Sequence, residues 1–123
     1  MLLHALKVER PHLKILLQLV LLAILKKQVI SAVIFGSVAR REEKPQSDLD
    51  ICCVVNSIKE KNTVRALLNA KMRFMNVKYG IKLAPVFFTI AEFKKKINRR
   101  LINEIFEEGI LITGKNPREL ING

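Results

Sequence analysis

Apolar and polar positions along the chain fall into blocks that predict helices and strands in alternation. Residues 12–27 are apolar around nearly the whole helical circumference, which predicts a helix buried on more than one side, under a sheet or in a subunit contact. The run 29–35 is rich in β-branched residues and ends at Gly36, the pattern of a buried strand stopped by a turn. Residues 37–43 can begin a short helix, which Pro45 then breaks.

The middle of the chain predicts a second strand and a long helix. Residues 48–55 are apolar after the first positions and predict a strand. Ser57 and Glu60 form a capping-box pattern that opens a helix extending to about Lys78. Its inner face is predicted to be apolar, with Val64, Leu67, Leu68 and Met75. A polar row at four-residue spacing is expected to be solvated and able to contact anions: Lys61, Arg65, Asn69 and Arg73.

The last third of the chain adds two strands and two helices. Residues 81–89 predict a strand, and Pro85 within it favours an edge or bulged position. Thr89 and Glu92 form a second capping box, which predicts one helix extending to about residue 108. A short strand over 110–113 follows, and Asn116 and Pro117 have the pattern of an N-cap and first residue of a final helical turn. These elements predict a small α/β fold in a single domain, residues 1–123.

Two local features bear on the compartment. The apolar stretch 15–25 is too short to span a bilayer, and Lys26 and Lys27 stand where a signal peptide would have its cleavage site, so we expect a buried helix and no membrane association. Cys52 and Cys53 are adjacent, so they cannot form an ordinary disulfide with each other and do not amount to a metal site. A reducing compartment, the cytoplasm, is expected.

The charge balance is strongly basic, with 22 Lys and Arg against 11 Asp and Glu and a net charge of +11. Such an excess favours polyanionic partners such as nucleoside triphosphates, nucleic acid or an acidic protein face, although a merely soluble cationic surface explains it equally well. The positive net charge is the only feature of the sequence that supports nucleic-acid binding. Aromatic stacking residues are not interleaved with the densest basic cluster, which comprises Lys94, Lys95, Lys96, Arg99 and Arg100.

Both aspartates of the chain lie in one tripeptide, Asp48-Leu49-Asp50, at the start of the second predicted strand. Side chains alternate along a strand, so the two carboxylates are expected on one face, about 6–7 Å apart. A divalent cation would relieve their repulsion, and Mg²⁺ is typically bound by one or two carboxylates together with substrate phosphates. The alternative is a solvent-exposed strand start with two ordinary surface acids.

Gly36 and Ser37 stand where the first strand meets the short predicted helix. Glycine lets a ligand approach the backbone, and the unsatisfied amides and dipole at a helix start favour an anion. A Gly-Ser pair alone is usually only a turn. Its position ten residues before Asp48 gives it weight, because adjacent strands would place an anion cradle beside the two carboxylates.

The string Gly36-Ser37, ten residues, then Asp48-Leu49-Asp50 resembles the signature of the polymerase-β-like nucleotidyltransferase superfamily, and the small size resembles its minimal nucleotidyltransferases. That family is often encoded beside HEPN-domain proteins as antitoxins. The resemblance implies a nucleotidyltransferase, palm-like fold, a small mixed sheet of about four strands flanked by helices. It also implies Mg²⁺ as cofactor, ATP or another NTP as substrate, a possible HEPN partner and a possible homo-oligomer.

The resemblance also implies roles for individual residues. Gly36 and Ser37 would hold the triphosphate, and Asp48 and Asp50 would bind Mg²⁺ while a nucleophile attacks the α-phosphate. Arg40, one helical turn from Ser37, would reach phosphate or clamp the carboxylates, although a solvated helix charge explains it equally well. Ser47 would cap or orient the aspartate turn.

One departure from the family pattern divides the functional hypotheses. Active members usually carry a third carboxylate on the following strand, and here that strand has no acid, with Ala84 near the expected position. Glu92 is the nearest downstream acid, but its capping box already accounts for it. The first hypothesis is an enzyme that transfers a nucleotidyl group, AMP, to a hydroxyl acceptor, as the antitoxin of a HEPN pair. The alternative is a catalytically impaired nucleotide-binding or antitoxin subunit that acts by binding its partner.

Overall fold

The computed structural model describes residues 28–36, 48–79, 82–95 and 99–122 of the 123-residue chain. The helices predicted over 12–27 and 37–43 lie outside these residues. The described part contains four strands, β1 (Ser31–Phe35), β2 (Leu49–Val55), β3 (Leu83–Thr89) and β4 (Ile110–Gly114). It also contains four helices, α1 (Ile58–Tyr79), α2 (Ile90–Lys94), α3 (Arg99–Glu108) and α4 (Pro117–Asn122).

The strands form one mixed sheet in the order β3-β2-β1-β4. Strand β1 runs antiparallel to both β2 and β4, whereas β2 and β3 are parallel. Parallel neighbours need a long crossover, and α1 supplies it. The prediction of a small mixed sheet of about four strands flanked by helices is confirmed. Pro85 lies on the edge strand β3, as its missing amide hydrogen led us to expect.

Both faces of the sheet are buried, which explains why the strand sequences are nearly continuous apolar runs. On one face, α1 packs Val64 and Leu68 against alternate positions of the two central strands: Ala32, Ile34, Ile51, Cys53 and Val55. On the other face, α2, α3 and α4 pack Phe93, Ile102, Ile105 and Leu120 against the intervening positions: Val33, Phe35, Cys52 and Val54. Each central strand therefore contributes to two cores.

The predicted single helix from Thr89 to about residue 108 is wrong, because α2 ends at Lys94 and α3 begins at Arg99. Phe93 and Ile102 are both fully buried in the same core. They are nine residues apart, or about two and a half helical turns, so one straight helix would place them on opposite sides. The change of direction between α2 and α3 lets both side chains reach the sheet.

The helix starts follow the predicted patterns with one variation. Thr89 and Glu92 form the complete capping box, and the Arg118 amide donates to Asn116 Oδ1 at 3.0 Å at the start of α4. At the start of α1, the Ser57 hydroxyl donates directly to the Glu60 carboxylate, and this hydrogen bond lowers the pKa of Glu60. Within the described residues, no helix is both long and apolar enough to cross a bilayer.

Candidate active site

The site lies at the end of the sheet where β1 finishes and β2 begins. Phe35, the last residue of β1, pairs directly with Asp50 in the antiparallel register. Gly36 follows Phe35, and Asp48 stands just before β2. The expected juxtaposition of the Gly36 turn with the two aspartates is therefore present.

Gly36 is fitted closely to Asp50. Its φ of 74° is in the left-handed region that favours glycine. A Cβ at this position would lie 3.0 Å from Asp50 Cγ and 3.3 Å from Asp50 Cβ, and closer still to the carboxylate oxygen Oδ2. A side chain at position 36 would thus displace the Asp50 carboxylate. The backbone approaches the acid so closely because the residue is glycine.

The two carboxylates differ in environment. Asp48 is exposed, whereas Asp50 is half-buried and shares the face of its partner Phe35. Carboxylate oxygens are the hard ligands that Mg²⁺ prefers. Within the described residues no group of three or more His, Cys, Asp or Glu side chains is placed to hold a metal ion. A cation bound here would therefore need further ligands from substrate phosphates or water.

The register of β3 shows what stands beside Asp50 on its other side. Ala84 is the direct parallel partner of Asp50. Paired residues in a sheet present their side chains on the same face, so Ala84 occupies the place from which an acid on β3 would reach the carboxylate pair. The third carboxylate that the sequence lacks would therefore have stood at Ala84, directly beside Asp50.

Glu92 does not replace the missing acid. Thr89, the residue that caps α2, pairs with Val55 at the opposite end of β2 from Asp50. Thr89 is five residue steps along the strand from Ala84, which is about 17 Å at about 3.3 Å per step. The Glu92 carboxylate accepts hydrogen bonds from the Thr89 amide at 2.8 Å and from Lys61 Nζ at 2.8 and 3.2 Å. Glu92 is therefore a structural acid.

The ion pair of Glu92 corrects one detail of the predicted polar row on α1. Arg65, Asn69 and Arg73 are exposed as expected, and the Arg65 guanidinium lies 5.3 Å from the centroid of the Phe87 ring. The Lys61 side chain, in contrast, is only 14% exposed because it bridges to α2. Hydrogen bonds from Lys61 and from the Thr89 backbone lower the pKa of Glu92.

A cavity of about 490 Å³ opens beside Asp48, on the face of the sheet covered by α1. Its other lining residues come from the second half of α1 and the start of β3: Asn69, Met72, Arg73, Asn76, Lys82 and Leu83. Asn76 and Lys82 were not singled out from the sequence. Only the four-residue spacing of Asn69 and Arg73 signalled this surface.

Three predicted site residues, Ser37, Arg40 and Ser47, lie outside the described residues, so their roles stay predictions. In the basic cluster, the described residues Lys94, Lys95, Arg99 and Arg100 are exposed, as expected for a solvated face. Cys52 and Cys53 are free and buried. Burial raises the pKa of both thiols, that of Cys53 to about 12, so neither is a nucleophile near neutral pH.

Residues 13–112 match the model of the nucleotidyltransferase domain family, which covers most of the chain. The chain belongs to this family. A relative from Methanocaldococcus jannaschii, provisionally named a protein adenylyltransferase, is 26% identical over 87 residues, which are 71% of this chain and 82% of the relative. The family and this relative support an enzyme, a nucleotidyltransferase, whose family generally uses a divalent metal.

The fold of the nucleotidyltransferase has solved counterparts. A crystal structure of a toxin–antitoxin with AMP-PNP superposes with a TM-score of 0.56 at 10% identity, covering 86% of this chain and 81% of the other. A mutant of the toxin–antitoxin MntA-HpeT aligns over 77% of this chain and 70% of the other, with a TM-score of 0.49 and 9% identity. At such low identity the first match establishes a shared fold.

Proposed function

We propose that this nucleotidyltransferase binds Mg²⁺-ATP at the Gly36–Asp50 end of the sheet and transfers AMP to a hydroxyl acceptor. The observation that carries the proposal is the close approach of the Gly36 backbone to the Asp50 carboxylate, with Asp48 beside it. Such a close approach suits a nucleotide site, because phosphates and their metal must reach both groups.

The donor set fits a divalent cation. Asp48 and Asp50 would hold it, with substrate phosphates completing its ligands, and when bound it would supply charge stabilisation at the α-phosphate. The chain's own contribution is positional. Gly36 leaves space for the phosphates, and Ser37 and Arg40 would bind them from the segment that follows, with Ser47 orienting the aspartate turn. The name of the M. jannaschii relative supports adenylyl as the transferred group.

We further propose that the acceptor belongs to a HEPN-type partner, which this chain neutralises as an antitoxin. The support is the toxin–antitoxin assembly of the structural neighbour, in which AMP-PNP is also present. Free, buried cysteines agree with a cytoplasmic location. A homo-oligomer stays a prediction, because it depends on the apolar segment 12–27 outside the described residues.

A second candidate function is favoured by one observation, the placement of Ala84 directly opposite Asp50. Without an acid there, the site has no obvious base for the attacking hydroxyl, and loss of a general base typically costs about 10²–10⁴-fold in rate. On this account the protein binds nucleotide and partner but turns over slowly or not at all. The protein would then neutralise its partner by binding and covering it, without transferring AMP.

Label transfer separates the two functions. The chain is incubated with α-labelled ATP, Mg²⁺ and the product of the neighbouring reading frame, and wild type is compared with Asp48→Ala/Asp50→Ala. The enzyme account expects labelled partner with wild type and a loss of about 10³-fold with the double variant, because several kcal/mol of transition-state stabilisation are removed. Glu92→Gln is the matched control, an acid removed at the other end of β2.

Two outcomes contradict the enzyme account. Absence of label on any acceptor, with nucleotide binding intact, favours the binding subunit. Label transfer that persists unchanged in the double variant places the chemistry elsewhere.

A further inference from the structure

The side of α1 that borders β3 carries an unbalanced positive charge. Arg65 and Arg73 are two helical turns apart on this side, about 12 Å at about 1.5 Å per residue, and Lys82 lines the same cavity as Arg73. All three are exposed, and no ion pair within the described part of the chain involves them. Lys61, one turn before Arg65, differs because Glu92 already neutralises it. The uncompensated charge therefore begins at Arg65.

Acidic side chains are scarce on the same side. Glu60 is the only acid of α1, and the Ser57 hydroxyl donates to it at the start of the helix, while β3 contains no acid. Asp48, at one end of the cavity, is the only acid among the described lining residues. A set of cations without compensating acids attracts a partner of opposite charge and orients it. This side of the molecule therefore suits an anionic partner.

The cavity between α1 and β3 adds uncharged contacts to these cations. Asn69 and Asn76 are its amides, and half-buried Met72 and buried Leu83 are its apolar lining. Amide side chains both donate and accept hydrogen bonds, as a peptide backbone does. Arginine and methionine are also enriched in protein–protein interfaces. The combination suits a protein segment that places an apolar side chain in the cavity and acids at its rim.

A single-stranded nucleic acid suits this surface less well. Bases stack on exposed aromatic rings, and none of the described lining residues is aromatic. Phe87 of β3 is half-buried, and the Arg65 guanidinium lies 5.3 Å from the centroid of its ring, so that ring face is already covered. Phosphates would find cations here, but bases would find no ring on which to stack.

We propose that this α1–β3 surface, made of Arg65, Asn69, Arg73, Asn76 and Lys82, docks an acidic segment of a partner protein. The two arginines and the lysine pair with carboxylates of the partner. The two amides hydrogen-bond its backbone, and the apolar lining of the cavity receives one of its apolar side chains.

Docking at this surface leaves the candidate nucleotide site accessible. The cavity lies on the face of the sheet covered by α1. Asp50 pairs with Phe35, and Phe35 belongs to the core on the opposite face. Substitutions at the α1–β3 surface can therefore separate partner binding from nucleotide binding, and the docking proposal does not depend on nucleotidyl transfer.

The test measures binding of defined probes by fluorescence anisotropy at physiological salt. The probe is a fluorescent peptide of glutamate and alanine, compared with a lysine–alanine peptide and a uridine oligonucleotide of equal length. Wild type is compared with Arg73→Glu/Lys82→Glu and with a control, Arg99→Glu/Arg100→Glu. The control makes the same change of net charge at two exposed residues in the first turn of α3, where glutamate suits the helix dipole.

A second variant, Arg73→Gln/Lys82→Gln, removes the charges without reversing them and serves if the reversed variant is unstable in urea unfolding. We expect the acidic peptide to bind wild type more tightly than either other probe. Charge reversal at the cavity should weaken that binding about tenfold and the glutamine variant about threefold, since exposed charge pairs each contribute modestly. The control should change it by no more than about twofold, because distant charges are screened.

Equal weakening by the two charge-reversed variants would contradict the proposal, since it would show a general effect of the +11 charge. Absence of binding of the acidic peptide to wild type, or equal binding of the lysine peptide, would also overturn it. Tighter binding of the oligonucleotide would assign the surface to nucleic acid, and loss of affinity for ATP with Mg²⁺ in the cavity variant would assign it to the nucleotide site. Failure of nucleotidyl transfer leaves all these binding results unchanged, so the two proposals fail separately.

Discussion

Acidic side chains lie near both ends of β2, but their surroundings differ. At the end that meets α2, the Glu92 carboxylate is held by the Thr89 amide and by Lys61, within a complete capping box. At the other end, Asp50 lies against a glycine backbone, and exposed Asp48 borders an open cavity. Hydrogen bonds and an ion pair hold the first acid in place. For the second pair we propose a bound ligand.

Two glycines, Gly36 and Gly114, also differ between the two ends of the sheet. Gly36 and Gly114 both have positive φ, 74° and 84°, and they lie at opposite ends of the sheet, because Gly114 pairs with Ser31 and Ser31 pairs with Val54. A Cβ at Gly114 would meet only backbone, 2.7 Å from the Ile30 carbonyl carbon and 3.0 Å from Ser31 Cα. A Cβ at Gly36 would meet the Asp50 carboxylate. Gly114 is thus confined by backbone atoms, whereas Gly36 is confined by the side chain of a candidate site residue.

The largest expected effect comes from substituting alanine for each of these two glycines. Gly36→Ala and Gly114→Ala should each reduce the free energy of unfolding by about 1–3 kcal/mol, because alanine is strained at positive φ. Only Gly36→Ala should also reduce nucleotidyl transfer, by about 10²-fold, since a misplacement of about 1 Å can cost that much. Urea unfolding and label transfer measure the two quantities. Equal transfer rates in the two variants would contradict the assignment of Gly36.

The second largest effect is expected from a substitution on β3, beside Asp50. Ala84→Asp places an acid directly opposite Asp50. The proposed reaction would use a base for the attacking hydroxyl at this position. We expect transfer to rise at least about tenfold, a conservative fraction of what general bases contribute. Ala84→Asn is the matched control of the same shape without the charge. A rise with asparagine, or none with aspartate, would show that the absent acid does not limit the rate.

A smaller effect is expected at the structural end. Glu92→Gln should reduce the free energy of unfolding by about 1–2 kcal/mol at neutral pH and leave transfer unchanged, because a charged hydrogen bond and a partly exposed ion pair are lost. The pKa of Glu92 is lowered by folding, so its contribution is complete above the ordinary value of 4.5 and disappears as the pH falls through the lower folded value.

Urea unfolding of wild type and Glu92→Gln at about pH 7 and about pH 3 tests this sign. The difference in stability should shrink at the lower pH. A difference that grows on acidification would mean that folding raises the pKa of Glu92.

The smallest expected effect is at the cysteines, in the middle of the same strand. Cys52 and Cys53 are buried, and burial raises the pKa of both thiols, so the native protein should react with a thiol reagent only at the rate of its unfolding. Mass spectrometry after iodoacetamide treatment, with and without urea, measures this. Fast modification without urea would show that the centre of the sheet opens readily.

Much of this contrast was predictable from local sequence. The capping box at Thr89, the edge position of Pro85 and the second strand each depend on residues close together in the chain. That strand was predicted over 48–55 and is observed as Leu49–Val55. The juxtaposition of Gly36 with the aspartates followed from assuming that successive strands are neighbours. The location of the candidate site could therefore be predicted from one motif and one assumption, while its chemistry stays a prediction.

The features that sequence reasoning missed depend on contacts between distant residues. The partner of Lys61 is Glu92, 31 positions away, so its burial could not be read from the helical row. The division between α2 and α3 appears only when Phe93 and Ile102 are known to enter the same core. The cavity joins Asp48 to Asn76 and Lys82 through the packing of α1 beside β3.

The measurement that tests the central claim most directly is calorimetric titration of ATP, with and without Mg²⁺, into wild type, Asp48→Asn/Asp50→Asn and Glu92→Gln. It reports binding even if turnover is slow. The account predicts Mg²⁺-dependent binding by wild type and Glu92→Gln, and a loss of at least about tenfold in the double aspartate variant. Equal affinity in all three proteins, or a loss confined to Glu92→Gln, would contradict it.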